Sequence, residues 1–189
     1  IVYMPKEHTQ LVQYRKQVEE LFSRIFIELS RHLRDNTYVW SGRELLEAEE
    51  LLHKAVDAAR RQSDNRLIFE GAEWTVYFYM RERQLEAIGR MTEHVARVYQ
   101  TLPHGELLAT VFETLSEDVL MPHYTGRTER HLFELEQSFK GMALPLTREE
   151  FEIRAALLQL VEELKVYLNV AKKRKTPGRR LNTRGICPC

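Results

Sequence analysis

The chain has 189 residues, of which 43% are hydrophobic and 30% charged, a composition typical of a single helical domain with a real core. No apolar run approaches the roughly 20 residues needed to span a bilayer, and there is no signal peptide. Because the chain starts at Ile1 without an initiator Met, we expect it to be a piece of a longer protein.

The net charge of zero hides an asymmetry between the body and the C-terminal tail. Seven of the 28 basic residues and no acidic residue lie within residues 172–189, so residues 1–171 carry 21 basic against 28 acidic residues. Such a tail is too polar to form a core, and we expect it to be disordered. It is expected to be solvated or to contact an anionic membrane surface. We expect no nucleic-acid partner, since the body is acidic and the tail lacks aromatic residues.

Apolar residues recur at three- and four-residue steps along most of the chain, and no period-two strand pattern occurs. The predicted helices span about Pro5–Arg34, Ser41–Arg61, Trp74–Leu102, Gly105–Met121, Thr128–Lys140 and Thr147–Ala171. Ser63-Asp-Asn65 is predicted to break the second helix, and Leu67-Ile-Phe69 to lead into the third. The pattern predicts an all-α fold: one domain over residues 1–171, a bundle of long antiparallel helices with two shorter inserted helices.

Two helix starts carry the capping-box pattern, in which a hydroxyl and a Glu three residues later satisfy each other's free backbone amides. They are Ser41-Gly-Arg-Glu44 and Thr147-Arg-Glu-Glu150. The first helix has a stripe close to a heptad, which is typical of packing inside a bundle, with a homo-oligomer seam as the alternative.

The central helix holds the densest aromatic cluster of the chain. Its apolar stripe comprises Trp74, Tyr77, Phe78, Leu85, Ile88, Met91, Val95, Tyr99 and Leu102. Arg81 and Gln84 interrupt this stripe, pointing within about 30° of its centre at 100° per residue. An inward guanidinium needs a partner, because an unpaired buried charge is costly.

Two interpretations of Arg81 stay open. The commoner is a structural ion pair with a Glu from a neighbouring helix. In the other, Arg81, Gln84, Tyr77 and Trp74 face a cavity, where an aromatic floor and a bidentate donor would bind a small aromatic carboxylate.

No catalytic, metal or cofactor site is predicted. Glu50-Leu-Leu-His53 has the Glu-x-x-His spacing of di-iron bundles, but it occurs once, and a metal needs three or four converging ligands. Cys187 and Cys189 in the tail make at most a weak thiolate pair. Phosphate-binding loops and nucleophile elbows are absent from the sequence.

Three segments resemble a known family. They are Tyr14-Arg-Lys-Gln-Val-Glu-Glu20, Asp64-Asn65, and above all Tyr77-Phe-Tyr-Met-Arg-Glu-Arg-Gln-Leu85 followed by Met91. They are similar to the cytoplasmic C-terminal domain of the aromatic acid exporter family, over about Pro5–Ala171.

This resemblance implies a bacterial inner-membrane protein whose transmembrane helices precede a helical domain on the cytoplasmic side. It implies export of aromatic carboxylic acids by the membrane part, and the partner of this domain would be its own N-terminal transmembrane region. Joined to the residues above, it suggests a non-catalytic domain that senses or hands over an aromatic acid through Arg81. The alternative is a structural or oligomerisation module without a ligand.

Overall fold

The computed structural model describes residues 6–65 and 70–171, and side chains over 9–63 and 73–170. Over these residues the chain forms six helices and no strand, which confirms the all-α prediction. The helices are α1 (Lys6–Arg34), α2 (Arg43–Asn65), α3 (Glu70–Val95), α4 (Pro103–Asp118), α5 (Arg127–Gly141) and α6 (Arg148–Ala171). As predicted, α4 and α5 are much shorter than the others.

The helices form an antiparallel bundle in which α1 packs against α2 and α4, and α3 packs against α2 and α6. Side-chain pairs fix the register between distant helices. Arg34 at the end of α1 pairs with Glu106 in the first turn of α4 (Nε to Oε1, 2.7 Å). Arg90 of α3 pairs with Glu163 of α6 (Nε to Oε2, 2.9 Å). The shorter α5 lies against α4.

The core is built from the apolar stripes that the sequence predicts for α1, α3 and α6. Most of the α1 stripe is covered by other helices of the same chain; its buried members are Leu11, Val18, Leu21, Phe22, Ile25, Leu29 and Leu33. At the centre, the ring of Phe26 stacks on Phe112 of α4 (6.1 Å between centroids) and meets Tyr167 of α6 edge-on (5.3 Å). The first helix therefore serves intrachain packing.

Gly105 allows α4 to approach α1 closely. A Cβ built on this glycine would lie 3.3 Å from the backbone oxygen of Leu33. Because a backbone oxygen cannot move aside easily, a side chain at this position would push the two helices apart.

The predicted C-terminal ends of α2, α3 and α4 are wrong. The central helix ends at Val95 rather than before Pro103: the amides of Arg97 and Val98 bond to carbonyls only three residues back, which tightens the last turn and stops the helix. Tyr99 is consequently 52% exposed instead of lying in the stripe. The fourth helix ends at Asp118 rather than Met121.

The second helix continues through Asn65, so Ser63-Asp-Asn65 does not break it. Residues such as Ser and Asp weaken a helix interior, but packing against neighbouring helices routinely overrides such propensities. The predicted apolar piece at 67–69 and the tail at 172–189 lie outside the described residues.

One of the two predicted capping boxes is confirmed, and only for the hydrogen bond that its hydroxyl accepts. The Thr147 hydroxyl accepts the Glu150 amide at 3.1 Å, and the Glu150 carboxylate accepts the amide of Leu146 at 2.9 Å instead of that of Thr147. The Ser41 box is wrong, because Glu44 accepts the Trp40 indole N–H at 2.7 Å. The residue before α2 is Gly42, whose φ of 71° suits glycine.

Several apolar side chains that belong to the three- and four-residue pattern of the sequence lie on the surface. Those of α2, α5 and α6 are Leu46, Phe133 and Phe151, each more than half exposed. In α4, Leu107 is also exposed, as is Leu120 just beyond the end of this helix, while Ala109 and Phe112 are buried. Which residues of a helix are buried depends on the rotation of the helix about its axis. A difference of a few tens of degrees, set by the neighbouring helices, exchanges a buried position for an exposed one.

Candidate functional site

The buried guanidinium of Arg81 is the centre of the candidate site. Each of its three nitrogens donates a hydrogen bond of 2.9 Å: Nε to the Tyr77 hydroxyl, Nη1 to Gln84 Oε1 and Nη2 to Glu19 Oε1. The Arg81 side chain is 5% exposed and that of Glu19 11%. The contacts are those of the first interpretation, a structural ion pair with a glutamate from a neighbouring helix.

The hydrogen bonds around Arg81 extend to three helices. The Tyr77 hydroxyl donates to Glu19 Oε1 (2.9 Å), so this oxygen accepts from two groups of α3. Gln84 Nε2 donates to the Tyr167 backbone carbonyl (3.3 Å). We call Glu19, Tyr77, Arg81, Gln84 and Tyr167 the Arg81 cluster. It joins α1, α3 and α6 in the interior of the bundle.

Neighbouring groups keep Arg81 ionised, and burial keeps Tyr77 and Tyr167 protonated. Burial by itself lowers the pKa of Arg81, but Tyr77, Tyr167 and Glu19 together raise it above its usual value. Burial raises the pKa of Tyr167 to about 12 and also raises that of Tyr77. Both hydroxyls can therefore donate hydrogen bonds throughout the physiological range.

A small cavity lies on one side of the guanidinium. It has a volume of about 30 Å³ and is lined by Arg81, the end of α4, the start of α5, the connection between them, and α6. One water needs about 10–15 Å³, whereas pockets for drug-sized ligands measure about 300–1,000 Å³. The cavity as it stands has room for water next to Arg81 and none for an aromatic acid.

The predicted site residues are only partly brought together. Tyr77 and Gln84 contact Arg81, but neither is among the residues that line the cavity. Trp74 is buried against other rings of its own helix, stacking on Phe78 (5.8 Å between centroids) and meeting Tyr77 edge-on (6.0 Å). The aromatic floor and the guanidinium thus do not line one common cavity here.

Two larger grooves lie on the surface, away from the Arg81 cluster. The groove between α2 and α3 measures about 440 Å³ and is lined by Leu45, Glu49, Leu52, His53, Glu82, Leu85, Glu86 and Gly89. Burial, helped by Glu86, raises the pKa of Glu82, while His53 and Arg60 lower it. With three glutamates on its walls, this groove disfavours a carboxylate ligand.

The Glu50 and His53 side chains point to different sides of α2. Glu50 accepts a hydrogen bond from Lys54 (2.7 Å) and lines a second groove, between α1 and α2, of about 360 Å³. His53 lines the groove between α2 and α3. Over the described side chains, no group of three or more His, Cys, Asp or Glu residues could hold a metal ion.

Comparison with known proteins places this chain. The profile of the family described as "Putative aromatic acid exporter C-terminal domain" matches residues 8–172. The chain belongs to this family. Membership in this family implies a membrane-protein context. Over the described residues, no helix combines the length and apolar character that a membrane span requires.

A similar curated protein is the "Uncharacterized protein YqjA" of Bacillus subtilis (strain 168), 35% identical over 168 residues. The match covers 88% of this chain and 52% of the relative, so the exporter-family domain spans about half the length of that protein. A solved structure described as a "putative membrane protein from Clostridium difficile 630" is 20% identical with a TM-score of 0.74. The alignment covers 86% of this chain and 96% of the solved chain, and it shows that the two share a fold.

Sequence reasoning missed the identity of the Arg81 partners, although a signal for Glu19 exists. At 100° per residue, Glu19 lies only about 20° from Phe26 on the inward face of α1. An acidic residue on that face is the natural complement of an inward arginine on another helix. The contact of Tyr167 with Gln84 could not be predicted, because it depends on the register between α3 and α6.

Proposed function

We propose that this chain is a non-catalytic helical domain of an aromatic acid exporter, on the cytoplasmic side of the cell membrane. Within it, the Arg81 cluster acts as a structural crosslink that holds α1 against α3 and α6. The observation that carries this proposal is the bond from Arg81 to Glu19, a carboxylate of the same chain. Family membership supports the transport context.

Energetics favour the structural role over a ligand role. A ligand carboxylate would have to displace Glu19 from Arg81, leaving a largely buried carboxylate with only the more distant Arg15 (Nε to Oε2, 3.9 Å) as its cation. Breaking a buried pair by removing one partner costs about 3–5 kcal/mol. The ligand must also open the cavity of about 30 Å³, which costs further packing energy.

Isothermal titration calorimetry with benzoate and related aromatic acids tests this proposal. We expect no saturable heat for the wild-type chain, and none for Arg81→Ala or for Arg83→Ala, the matched control two residues away on the exposed face of α3. Saturable binding by the wild type that is lost in Arg81→Ala and retained in Arg83→Ala would overturn the structural role and establish the ligand role.

One observation favours the ligand role as a second candidate. Arg81 lines the small cavity beneath the connection between α4 and α5, where Tyr124 is 45% exposed. Outward movement of this connection would enlarge a space that already touches the guanidinium. In this second proposal an aromatic acid replaces Glu19 on Arg81, with Gln84, Tyr77 and Trp74 as its further contacts.

An assembly role through α1 has less support, because its heptad-like stripe is covered by helices of the same chain. The exposed apolar side chains of Leu158 and Phe151 instead follow the outer face of α6. Sedimentation velocity of wild type and Phe151→Ser distinguishes the surfaces. A dimer that persists in Phe151→Ser would place the contact elsewhere.

A further inference from the structure

The groove between α2 and α3, of about 440 Å³, has an apolar floor. Leu52 is fully buried there, and Leu45 and Leu85 are partly buried against the core. Gly89 completes the floor. A Cβ built on this glycine would meet nothing within 4 Å, so the absence of a side chain keeps this part of the groove open. Such a floor suits an apolar side chain of a binding segment.

The rim of the groove carries three carboxylates. Glu49 comes from α2, and Glu82 and Glu86 come from α3. Glu86 pairs with Arg83 at 3.3 Å, whereas Glu49 and Glu82 form no salt bridge with any side chain that the structure describes. The remaining titratable group of the rim is His53. The rim is therefore electronegative, and a segment that binds here needs positive charges.

The groove between α1 and α2 lacks this imbalance. It is also lined by three glutamates, but Arg24 and Lys54 lie beside them. Lys54 bonds to Glu50 at 2.7 Å, and Glu47 pairs with Arg43 at 3.2 Å. A positively charged segment therefore has its better electrostatic complement between α2 and α3.

The last helix ends level with the groove between α2 and α3, on the other side of α3. Glu163 of α6 pairs with Arg90 (2.9 Å), and the Tyr167 carbonyl accepts a hydrogen bond from Gln84 (3.3 Å). These contacts show that α6 runs antiparallel to α3. The same register, continued by one turn, places Ala171 at the end of α6 level with the turn of α3 that precedes Gln84.

From Ala171 the chain can reach the groove by passing around α3. At 100° per residue, Glu82 lies about 160° from Gln84 around the axis of α3, so the groove opens opposite the side that α6 contacts. Half the circumference of a helix about 10–12 Å across is about 16–19 Å. The eight residues 172–179 can span up to about 26–29 Å. The length of the chain therefore allows residues 179–181 to enter the groove.

The charge of residues 172–184 matches the groove. This segment contains seven Lys or Arg residues and no acidic residue. Its one large apolar residue, Leu181, directly follows Arg179 and Arg180. An apolar side chain next to two guanidinium groups is the complement of an apolar floor with carboxylates on its rim.

We propose that residues 172–184 bind in the groove between α2 and α3 of the same chain, with Leu181 on the leucine floor and Arg179 and Arg180 at the glutamate rim. This inference goes beyond the proposed function and is independent of it, because the Arg81 cluster contributes no residue to the groove. The bound segment covers the groove and offsets its negative charge. A basic partner from outside must therefore displace this segment before it can bind there.

Disulfide trapping in the full chain tests this proposal. Leu181→Cys is combined with His53→Cys, which lines the groove between α2 and α3, in a Cys187→Ser/Cys189→Ser background. The matched control combines Leu181→Cys with Lys54→Cys. Lys54 is the next residue of α2, is also exposed, and lines the groove between α1 and α2 instead. Oxidised glutathione starts the reaction, and mass spectrometry measures the intrachain disulfide.

We expect the intrachain disulfide to form about tenfold faster with His53→Cys than with Lys54→Cys, because binding raises the local concentration of one thiol at the other. Added salt should reduce this difference, since the charges at the rim are accessible to ions. Equal rates, a faster reaction with Lys54→Cys, or no intrachain disulfide in either variant overturns the proposal. So does a disulfide that forms chiefly between two chains and slows on dilution, which would place the segment on a second copy.

Removal of the rim charges tests the electrostatic part of the proposal. The test variant carries Glu49→Gln, Glu82→Gln and Glu86→Gln. The control removes three exposed glutamates of the other groove and carries Glu20→Gln, Glu47→Gln and Glu50→Gln. The test variant should slow trapping at position 53 about tenfold, the combined effect of three exposed ion pairs of ordinary strength, and the control should leave the rate unchanged. Equal slowing by both variants would mean that only the net charge of the body matters, and overturns the assignment to this groove.

Discussion

Arg81 and Arg83 are two residues apart on α3 and have opposite surroundings. The Arg81 side chain is 5% exposed and pairs with Glu19, whereas that of Arg83 is 73% exposed and pairs with Glu86 at 3.3 Å. Water competes for the second pair and is nearly excluded from the first. Burial, rather than residue type, therefore decides how much each ion pair matters to stability.

A double-mutant cycle on the buried pair checks this difference. We expect Arg81→Met and Glu19→Met each to lower the free energy of unfolding by about 3–5 kcal/mol. Glu19→Met leaves Arg81 without a carboxylate, and Arg81→Met leaves Glu19 only the more distant Arg15 (3.9 Å). The double variant should be more stable than the sum of the two losses predicts. Urea unfolding at constant pH measures all three.

The exposed pair supplies the control for this cycle. Arg83→Met and Glu86→Met should change the unfolding free energy by no more than about 1 kcal/mol, with little coupling between them. A coupling energy for Arg81 and Glu19 as small as that of the exposed pair would contradict the crosslink role.

His104 is a buried titratable group in the first turn of α4. Burial lowers its pKa, Arg154 lowers it further, and Glu150 opposes the shift. A histidine whose pKa is lower in the folded than in the unfolded chain binds a proton more readily when unfolded. Its contribution to stability is therefore complete above the unfolded pKa of about 6.5 and is lost as the pH falls below it.

The pH dependence of unfolding tests this assignment. Between about pH 7.5 and pH 5.5, the wild type should lose stability, and His104→Gln should lose less. His123→Gln, at an exposed position in the connection between α4 and α5, is the control and should keep the wild-type slope. Identical slopes for wild type and His104→Gln would remove His104 from this role.

At the scale of a helix, local backbone geometry decides the ends. Gly42 immediately precedes α2 with φ of 71°, a conformation that costs an L residue about 1–2 kcal/mol. Gly89 lies inside α3, and a Cβ built on it would meet nothing within 4 Å. The backbone conformation before α2 requires a glycine at position 42, whereas Gly89 only weakens α3.

Opposite effects of alanine at these two positions are therefore expected. Gly42→Ala should lower the free energy of unfolding by about 1–2 kcal/mol, while Gly89→Ala should raise it by about 0.5–1 kcal/mol. Thermal unfolding followed by circular dichroism compares the two variants. Stabilisation by Gly42→Ala would mean that this residue does not adopt the left-handed conformation.

At the scale of the whole molecule, one core connects helices that are distant in sequence. Phe26 of α1 is fully buried and contacts Phe112 of α4 and Tyr167 of α6. Phe151, also aromatic and also on a long helix, is 61% exposed. The contrast separates residues that hold the bundle together from apolar residues that merely occur on its surface.

Truncation of these two rings should have very different consequences. Phe26→Ala is expected to cost about 3–5 kcal/mol and to lower the midpoint of a single cooperative transition. Phe151→Ala should stay within about 0.5 kcal/mol of the wild type. Urea unfolding followed by circular dichroism provides the measurement, and equal losses would contradict the burial of Phe26.

Local signals determined most of the architecture from sequence alone. The helical class, the two short helices, the buried stripe of α1 and the Thr147 hydroxyl cap all follow from periodicity and capping chemistry, which act over a few residues. The motif around Tyr77–Leu85 also identified the family. Where the local signals were weak, as in the rotation of α4 about its axis, neighbouring helices decided the outcome.

Only the tertiary structure decided what Arg81 contacts. Sequence periodicity could show that its guanidinium points inward, since that depends on α3 alone. Its carboxylate partner is 62 residues away on α1, and the size of the adjoining cavity depends on α4, α5 and α6. Partner and cavity are properties of several packed helices in one register, and no single helix encodes that register in its own pattern.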